Sequence, residues 1–365
     1  MIKSRTEIKT EQEIEKMRAG LLDWYDAEGR TLPWRVRPED RKAGKTPDPY
    51  AVWLSEIMLQ QTTVPHGTPY WHKFLEAFPT VTDLANAERE TVLSMWAGLG
   101  YYARARNLHK CAQIIRDEYD GVFPKTEAAL LKLPGIGPYT AATIAAICFD
   151  QATNIVDGNV ERVISRIFKV EEPLPQARQP LRLLAGTLAD PRRAGDYGQA
   201  VMDLGATICT PRSPDCPNCP WDDYCLAKEK GAPEAYPRKA AKKPKPVRYG
   251  AAFVAIHNGE VLLETRPDKG LLGGMAGLPG SEWTAEPLES PLDAAPFKGG
   301  WVKTKGQVKH VFTHFELHLD VYKAEFETRP NSNQAWADDY LLAGLPTVFK
   351  KALKLSLNDA ALEEE

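Results

Sequence analysis

Two carboxyl side chains, those of Glu56 and Asp157, are candidates for catalysis. The first could donate a proton and the second could remain an anion. Glu56 lies in a helical pattern with apolar residues at 53–54 before it and 57–59 after it. Burial among such neighbours raises a carboxyl pKa toward neutrality, where the group can act as a general acid. Asp157 directly precedes another helical pattern, and a helix N-terminus favours an ionised carboxylate. The pair therefore predicts acid catalysis beside a fixed negative charge.

Each carboxyl also has an ordinary structural interpretation. Glu56 could lie on a solvated helix face, and Asp157 could serve only as an N-cap. The polar run Gln60-Gln61-Thr62-Thr63 follows Glu56 directly and suits a polar ligand at the end of that helix. Asp48 and Pro49 are placed to cap and begin the same helix.

A glycine-containing hairpin between two predicted helices lies about twenty residues before Asp157. In the run Leu133-Pro-Gly-Ile-Gly-Pro-Tyr-Thr-Ala141, Pro134 and Gly135 end one helix and Pro138 begins the next. Gly135 and Gly137 keep side chains away from the backbone, so N–H groups at the second helix can face a phosphate. Such a hairpin alone is usually only a turn, but Asp157, twenty residues after Gly137, favours a site for a phosphodiester backbone.

A second turn, Leu99 to Arg106, carries paired tyrosines and two arginines. The segment fits either of two interpretations. It could be a corner of the core with solvated charges, or an aromatic wedge with phosphate contacts that replaces a lost base stack. The residues alone leave both open.

Four cysteines form the pattern C-x6-C-x2-C-x5-C at Cys209, Cys216, Cys219 and Cys225. A cytosolic protein would not use them as disulfides, and four thiolates suit zinc or an iron–sulfur centre. Zinc usually prefers two short C-x2-C knuckles, and only Cys216 and Cys219 have that form. The wider spacing favours a four-iron, four-sulfur (4Fe–4S) cluster.

The composition is that of a soluble globular chain. Its 365 residues suffice for two domains, with 43% hydrophobic residues, 26% charged residues and a formal net charge of −3. A nucleic acid would therefore have to bind local basic patches. No secretory signal is visible and the longest apolar run, Ala141 to Phe149, is too short to span a membrane, so we expect a cytoplasmic protein without a membrane partner.

The residue pattern changes in the last third of the chain. Residues 231–249 are rich in proline, lysine and arginine, which predicts an extended basic linker between a helical region at 1–230 and a domain at 250–365. Strand patterns begin at Phe253, Val261 and Phe315, and Asn258-Gly259 predicts a hairpin turn. We expect an α+β domain there. His310, His314 and His318 are spaced as on a metal-binding helix, but the alternation around them predicts a strand and no metal site.

Taken together, these segments resemble the adenine DNA glycosylases of the MutY family, within the helix-hairpin-helix glycosylase superfamily. The resemblance covers almost the whole chain. It rests on Trp53 to Thr62, Gly98 to Tyr102, the glycine hairpin, Val156 to Asn159, and the cysteine spacing. It implies a multidomain fold, in which an all-α six-helix barrel and a 4Fe–4S cluster domain precede an α+β Nudix-like domain that inspects 8-oxoguanine.

The resemblance also implies roles for individual residues. The implied catalytic residues are Glu56 as general acid, Asp157 as the carboxylate facing the sugar cation, and Tyr139 and Asn159 as their hydrogen-bonding supports. The implied substrate-binding residues are Trp34, Arg35 and Gln199 around the adenine, Gln61 and Tyr101 inside the duplex, Thr62 near the oxidised guanine, and Thr313 and His314 in the second domain. Gly135 and Gly137 would contact the DNA backbone, and the four cysteines would hold the cluster.

Three departures from relatives refine this expectation. Glycosylases that also cut the strand carry a lysine where this chain has Tyr139, and a phenol cannot form a Schiff base. The glycine-rich run Gly273 to Gly280 is followed by no Arg-Glu-x-x-Glu-Glu box, so the second domain should bind an oxidised base without hydrolysing a nucleotide. Thr313 stands where the family commonly has serine, which keeps the hydroxyl and adds a methyl group.

The implied reaction is removal of adenine paired with 8-oxoguanine or guanine in double-stranded DNA. The base is extruded, Glu56 protonates N7, and Asp157 stabilises the oxocarbenium character at C1′. We expect a monomer near the nucleoid. The alternatives are an endonuclease-III-like glycosylase/lyase for oxidised pyrimidines and a non-catalytic damage-binding protein with a redox-sensing cluster.

Overall fold

The computed structural model describes residues 9–241, 244–267, 270–330, 335–337 and 345–358. The chain divides into two compact units, Met1–Ala241 and Lys242–Glu365. In the described residues, no helix is long and apolar enough to cross a lipid bilayer.

The first unit is helical. Its helices are α1 Glu11–Glu28, α2 Pro38–Lys42, α3 Pro49–Met58, α4 Val64–Ala77, α5 Val81–Asn86, α6 Arg89–Met95, α7 Ala103–Tyr119, α8 Glu127–Leu130, α9 Pro138–Phe149, α10 Gly158–Ile167, α11 Arg178–Leu188, α12 Ala194–Asp203 and α13 Leu226–Glu229. A π-helical turn, Leu204–Ile208, continues α12. Short 3₁₀ turns follow at Cys216–Asn218, Asp222–Tyr224 and Pro233–Ala235.

Two hydrophobic clusters form the core of this unit, and α9 touches both. Ile144 and Ala145 pack into the first cluster, with α3, α4 and α7, whereas Ala146 packs into the second, with α1, α10 and α12. Helix α9 is buried from Thr140 to Ile147, because it lies between other helices on every side. The apolar run at 141–149 is therefore the central helix of a globular unit.

The helices that carry the predicted site residues begin at residues readable from the sequence. Asp48 Oδ1 accepts a hydrogen bond from Tyr50 N at 2.9 Å, and Pro49 occupies the first turn of α3. Asp157 caps α10 through Val160 N at 2.7 Å. Both cap predictions are confirmed.

The segment predicted as a linker begins against the helical unit. Leu174 N donates to Arg238 O at 2.8 Å, and Ala240 N donates to Leu174 O at 3.1 Å. The Tyr236 side chain is buried and its hydroxyl donates to Glu171 Oε1 at 2.6 Å. The first strand of the second unit starts at Val247, inside the range assigned to the linker.

The second unit combines a mixed sheet with a helix. Its elements are β1 Val247–His257, β2 Glu260–Thr265, β3 Ala276–Gly277, β4 Val302–Lys303, β5 Val308–Val311, β6 Glu316–Glu325, β7 Ala335–Ala337 and α14 Thr347–Asn358. Strand β1 pairs antiparallel with β2 and parallel with β6, and β4 and β5 pair antiparallel with β6. Asn258 and Gly259 both have positive φ and join β1 to β2, which confirms the predicted hairpin.

Candidate active site

Glu56 lies on α3 and lines an open cleft of the helical unit. The cleft holds about 1190 Å³, including solvent at its mouth. Desolvation, with a smaller contribution from the charge of Asp157, raises the pKa of Glu56 to about 7 against the opposing effects of Tyr139 and Arg35. The Tyr139 hydroxyl donates to Met202 Sδ at 3.4 Å and lies close enough to Glu56 to influence its titration. Glu56 is therefore half protonated near neutral pH.

Arg35 is held by a carboxylate that sequence reasoning missed. Arg35 Nη1 donates to Asp203 Oδ2 at 2.7 Å, and the Arg30 backbone N–H and Nε donate to Asp203 at 2.8 and 2.7 Å. Asp203 is 0% exposed. Burial alone would raise its pKa, but the hydrogen bonds and charges of Arg35 and Arg30 lower it. Asp203 therefore remains ionised and neutralises part of the positive charge near Glu56.

Asp157 has both carboxylate oxygens occupied. Oδ1 accepts from Val160 N at 2.7 Å, and Oδ2 accepts from Asn159 Nδ2 at 2.9 Å. Asn159 Oδ1 in turn accepts from Arg162 Nη2 at 2.9 Å, and Arg162 Nε donates to Cys209 O at 2.8 Å. A continuous hydrogen-bonded path therefore joins Asp157 to the first residue of the cysteine loop.

Gln199 and Trp34 form another part of the cleft wall. Gln199 lies on α12, is 1% exposed, and donates through Nε2 to Gly195 O at 3.2 Å. Its Oε1 is buried and accepts no hydrogen bond from the described residues. Trp34 is buried and packs edge-on against Trp71, with ring centroids 5.6 Å apart. The wall thus offers one free hydrogen-bond acceptor beside an apolar surface.

The glycine hairpin lies outside the residues that line the cleft. Gly135 has φ +78°, and a Cβ placed there would lie 2.8 Å from Asn107 Cβ. Gly137 is the N-cap residue of α9, and nothing lies within 4 Å of a Cβ at that position. Because Pro138 has no N–H, the N–H groups of Tyr139 and Thr140 are the first that α9 can offer to an anion.

Two turns of the helical unit present exposed side chains on strained backbone. Gln61 has φ +58° and lines the cleft beside Thr62. Tyr101 has φ +50° and is 60% exposed, although it does not line the cleft. Left-handed backbone at non-glycine residues is uncommon and often marks functional turns. For Tyr101 this exposure disagrees with the alternative of a core corner.

In the second unit, Thr313 and His314 are exposed in the short connection between β5 and β6. Phe312 anchors that connection by stacking on Trp283 at 5.5 Å and contacting Phe315 at 5.0 Å. The aromatic side chains pack against one another, while the threonine and histidine between them face solvent.

The four predicted metal-binding cysteines line one small cavity. It holds about 380 Å³ including solvent at its mouth, and Cys209, Cys216, Cys219 and Cys225 all border it. Arg166, 1% exposed, donates through Nη1 to Cys209 Sγ at 3.2 Å. In the part of the chain that the structure describes, no three His, Cys, Asp or Glu side chains are grouped tightly enough to hold one metal ion.

The structure thus brings most predicted catalytic and substrate residues of the helical unit to one cleft. Those that line it are Trp34, Arg35, Glu56, Gln61, Thr62, Tyr139, Asp157, Asn159 and Gln199. Tyr101, the hairpin glycines and the cysteines lie elsewhere in the same unit. Thr313 and His314 belong to the second unit.

Comparison with known proteins gives the family. Residues 54–184 match the HhH-GPD superfamily of base excision DNA repair proteins, and residues 251–355 match the NUDIX domain. An adenine DNA glycosylase of Homo sapiens is 35% identical over 413 residues, covering 94% of this chain and 74% of the relative. One from Buchnera aphidicola (subsp. Acyrthosiphon pisum, strain APS) is 32% identical over 355 residues, covering 92% of this chain and 95% of that relative.

The chain belongs to the adenine DNA glycosylase family. It is accordingly an enzyme of base excision repair with a helix-hairpin-helix core and a Nudix-like second domain. Among solved structures, a thermostable thymine-DNA glycosylase matches with a TM-score of 0.53 and 29% identity, covering 60% of this chain and 98% of that one. A trapped endonuclease III–DNA covalent intermediate, 21% identical with a TM-score of 0.50, shares the helical fold and covers 61% of this chain and 99% of that one.

Within this adenine DNA glycosylase family member, Asp203 and Arg162 are the main site residues absent from the sequence predictions. Asp203 had a usable signal, because it is an acid within the apolar run Ala200 to Leu204, the same anomaly that identified Glu56. Arg162 had no comparable signal. An arginine three residues after Asn159 is ordinary on a helix, and only its contacts reveal a role.

The pKa of Glu56 predicts the pH dependence of excision. If Glu56 is the general acid, it must be protonated to react, and kcat/KM should fall with a limiting slope of about tenfold per pH unit above a pKa of about 7. Tyr139 lowers that pKa, so Tyr139→Phe should move the falling limb to higher pH. Tyr119→Phe, distant from the cleft, is the control. Profiles of kcat/KM from pH 6 to 9 that show no falling limb, or the same limb in all three proteins, would contradict the assignment.

Proposed function

We propose that the protein removes adenine paired with 8-oxoguanine or guanine in duplex DNA by hydrolysing the N-glycosidic bond. The observation that carries the proposal is the cleft in which Glu56, with a pKa of about 7, lies near the carboxylate of Asp157. Two carboxyl groups with separated proton affinities are the usual means of glycoside hydrolysis.

Adenine must leave the duplex to reach this cleft. A stacked base exposes neither its glycosidic bond nor N7 to two carboxyl groups at once, and extrusion costs a few kcal/mol. Gln61 and Tyr101 are suited to fill the gap, because both project from left-handed turns and both are exposed. An amide and an aromatic ring at these positions can replace part of the lost stacking and pairing.

The cleft wall offers adenine a matching partner. Gln199 Oε1 is a buried acceptor without a partner among the described residues, and the exocyclic amine of adenine is a donor. The O4 carbonyl of thymine or the O6 carbonyl of guanine at that point would leave two acceptors facing each other, which costs the desolvation of both. Trp34 supplies an adjacent apolar surface. The pairing supports adenine as the substrate base.

Proton transfer from Glu56 to N7 lets adenine leave as a neutral molecule. As the N9–C1′ bond breaks, its electron pair passes to the base and C1′ becomes cationic. Asp157 faces this charge, and its two carboxylate oxygens are held in place by hydrogen bonds from Val160 N–H and the Asn159 amide. Water then adds to C1′ and releases a proton, which leaves an abasic site.

Strand cleavage is not part of the proposal. Lyase activity requires an amine that forms a Schiff base with C1′, and Tyr139 offers only a phenol at the corresponding point of the cleft. Burial also keeps this phenol protonated, because desolvation raises the pKa of Tyr139 well above its usual value. These features favour base removal alone over the glycosylase/lyase alternative.

Variants of the two carboxyls test the mechanism. Glu56→Gln cannot donate the proton, and general acid catalysis is worth roughly 10²–10⁴-fold, so single-turnover excision should collapse while mispair binding persists. Asp157→Asn should still bind the mispair but should not excise adenine, because the amide lacks the negative charge that stabilises the cationic sugar. The double variant should be little worse than the more damaging single one, since both groups act on one transition state.

Matched variants make this prediction specific. Glu76→Gln, on α4 outside the cleft, is a control for the loss of a carboxylate from the same unit. Excision is measured on a bound duplex with adenine opposite 8-oxoguanine. A near-native single-turnover rate for Glu56→Gln would show that another group supplies the proton.

We further propose that the second domain provides the preference for 8-oxoguanine. Thr313 and His314 form an exposed polar pair held in place by the aromatic anchors on either side. The domain carries no hydrolase box after Gly280, which agrees with a binding role.

Substitutions in this connection test the preference. Thr313→Ala together with His314→Ala should reduce the ratio of excision opposite 8-oxoguanine to excision opposite guanine, and should leave the guanine rate nearly unchanged. Thr313→Ser should retain the ratio, and Ser290→Ala, in another exposed segment of the domain, is the control. Equal losses on both substrates would mean that the connection has a scaffolding role.

We infer that the four cysteines hold a 4Fe–4S cluster. All four thiols border one cavity, whereas the described residues offer no group of three donors around a single ion. The C-x6-C-x2-C-x5-C spacing has only one short C-x2-C knuckle, which suits a four-iron cluster better than zinc. Arg166 fits the same group, since its N–H to Cys209 Sγ would stabilise a ligating thiolate. The bound cluster would cross-link the loop that Arg162 joins to Asn159.

Metal analysis tests the inference directly. Protein produced with ample iron and purified without oxidation should be yellow-brown and contain about four iron atoms per chain, as the cluster requires. Cys216→Ser should lower the iron content, whereas Cys148→Ser, which lies outside the cavity, should not. Stoichiometric zinc without iron in the wild-type protein would overturn the inference.

A further inference from the structure

Arg104, at the start of α7, donates hydrogen bonds to backbone carbonyls of two separate turns. Nη1 donates to Ile57 O at 2.8 Å, Met58 O at 3.1 Å and Gln60 O at 2.5 Å. Nη2 donates to Leu99 O at 2.9 Å and Gly100 O at 3.3 Å. One guanidinium thus joins the turn that carries Gln61 to the turn that carries Tyr101.

These carbonyls need an external donor because of how the chain turns. Helix α3 ends at Met58, so its last carbonyls have no N–H partner further along the helix. Gln61 and Tyr101 have positive φ, and each departs from regular structure immediately after the carbonyls that Arg104 binds. A single planar donor group on the neighbouring helix satisfies both sets.

The surroundings of Arg104 fix its side chain without an acidic partner. Its guanidinium lies 5.3 Å from the Trp96 ring and 5.5 Å from the Tyr101 ring. Trp96 also binds the second turn, since its Nε1 donates to Gly100 O at 3.0 Å. Among the described residues, no carboxylate forms an ion pair with Arg104, so its charge is balanced by carbonyl dipoles and aromatic faces alone.

We propose that Arg104 is the positioning residue that holds together the turn carrying Gln61 and the turn carrying Tyr101, here called the wedge turns. Gln61 and Tyr101 would then enter the duplex as one preassembled unit. The proposal rests on the proposed function, in which these two residues fill the gap left by adenine. Arg104 does not line the cleft, and it acts through the two turns that it binds. Because Arg104 holds both strained turns in place beforehand, their backbone does not have to be ordered during base extrusion. The entropy cost of that ordering would otherwise add to the free-energy cost of unstacking the base.

From the sequence alone, the arginines of this segment could be solvated charges or phosphate ligands. The structure gives Arg104 a different role, because its donors point back into the protein. The positioning role and a phosphate-binding role therefore predict different effects when Arg104 is replaced. Loss of Arg104 should matter most when the target adenine is well stacked, and least when the stack is already weakened.

The test uses full-length Arg104→Met and Arg104→Lys, with Arg116→Met as the control on the same helix. Arg116 binds Ala85 O and Asn86 and pairs with Asp117, far from both turns along α7. Lysine keeps the charge, but a compact ammonium with three donors cannot reach five carbonyls. Single-turnover excision is measured on two duplexes, one with paired neighbours around the target and one with mismatched neighbours that weaken stacking.

On the paired duplex we expect both Arg104 variants to lose roughly ten- to a hundredfold in rate, as 1 Å misplacements can. On the mismatched duplex the loss should be within about threefold, and 2-aminopurine beside the target should report less extrusion only in the paired duplex. Equal loss on both duplexes would overturn the proposal, as would full recovery in Arg104→Lys. The thermal midpoint of each variant shows whether any loss on both duplexes comes from unfolding.

The wedge variants separate this proposal from the proposed function. Gln61→Ala with Tyr101→Ala should show the same dependence on stacking, and adding Arg104→Met should cost little more, because coupled residues are not additive. If the wedge variants excise adenine at the wild-type rate, the wedge assignment is wrong and the positioning role falls with it. If they are impaired and Arg104→Met is not, only the positioning role is wrong.

Discussion

A carboxyl group that donates a proton near neutral pH has to be kept from water, and the helical unit is arranged around that constraint. Burying Glu56 among the helices raises its pKa, but Arg35 lies close enough to oppose the effect. An unscreened arginine would favour ionised Glu56 strongly, because charges interact more strongly in a low-dielectric interior. Asp203 prevents this by engaging Arg35 and Arg30 together, at 2.7 Å each through Nη1 and Nε. Burial is thus the main cause of the raised pKa of Glu56, and the ion pair with Asp203 offsets part of the charge of Arg35.

The second carboxyl depends on a different part of the unit. Asp157 caps the start of α10, and its position depends on Asn159, which is held in turn by Arg162. Arg162 donates to Cys209 O and to Gly205 O at 2.6 Å. The cysteine loop therefore helps to fix the orientation of a group more than fifty residues earlier in the chain. This gives the proposed cluster a structural reason to exist, since cross-linking the loop would stiffen the support of Asp157.

The sequence predicted correctly those features that depend on a residue and its immediate neighbours along the chain. Glu56 was recognisable as an acid among apolar residues, Asp48 and Asp157 as caps, and Asn258-Gly259 as a two-residue hairpin turn. It failed where the requirement was set by distant parts of the chain. The left-handed backbone at Gln61 and Tyr101 has no sequence signal, since neither is glycine, and the parallel pairing of β1 with β6 joins residues that lie 69 positions apart, such as Val247 and Glu316. The direction of a side chain such as Arg104 is likewise decided only by the turns it meets.

The charged groups around the cleft explain how Glu56 and Asp157 can have different roles without destabilising the helical unit. Arg30 and Arg35 form ion pairs with Asp203, and Arg162 supports the carboxylate of Asp157 through Asn159. In the proposed reaction, proton transfer to adenine creates one new anion at Glu56 while the sugar becomes a cation, and the departing base is neutral. The sum is therefore unchanged through the transition state, and charge is only redistributed between groups already held in place. Because the groups that face the new charges are already oriented, the site needs little reorganisation, which is the condition under which fixed dipoles and ions stabilise a transition state most effectively.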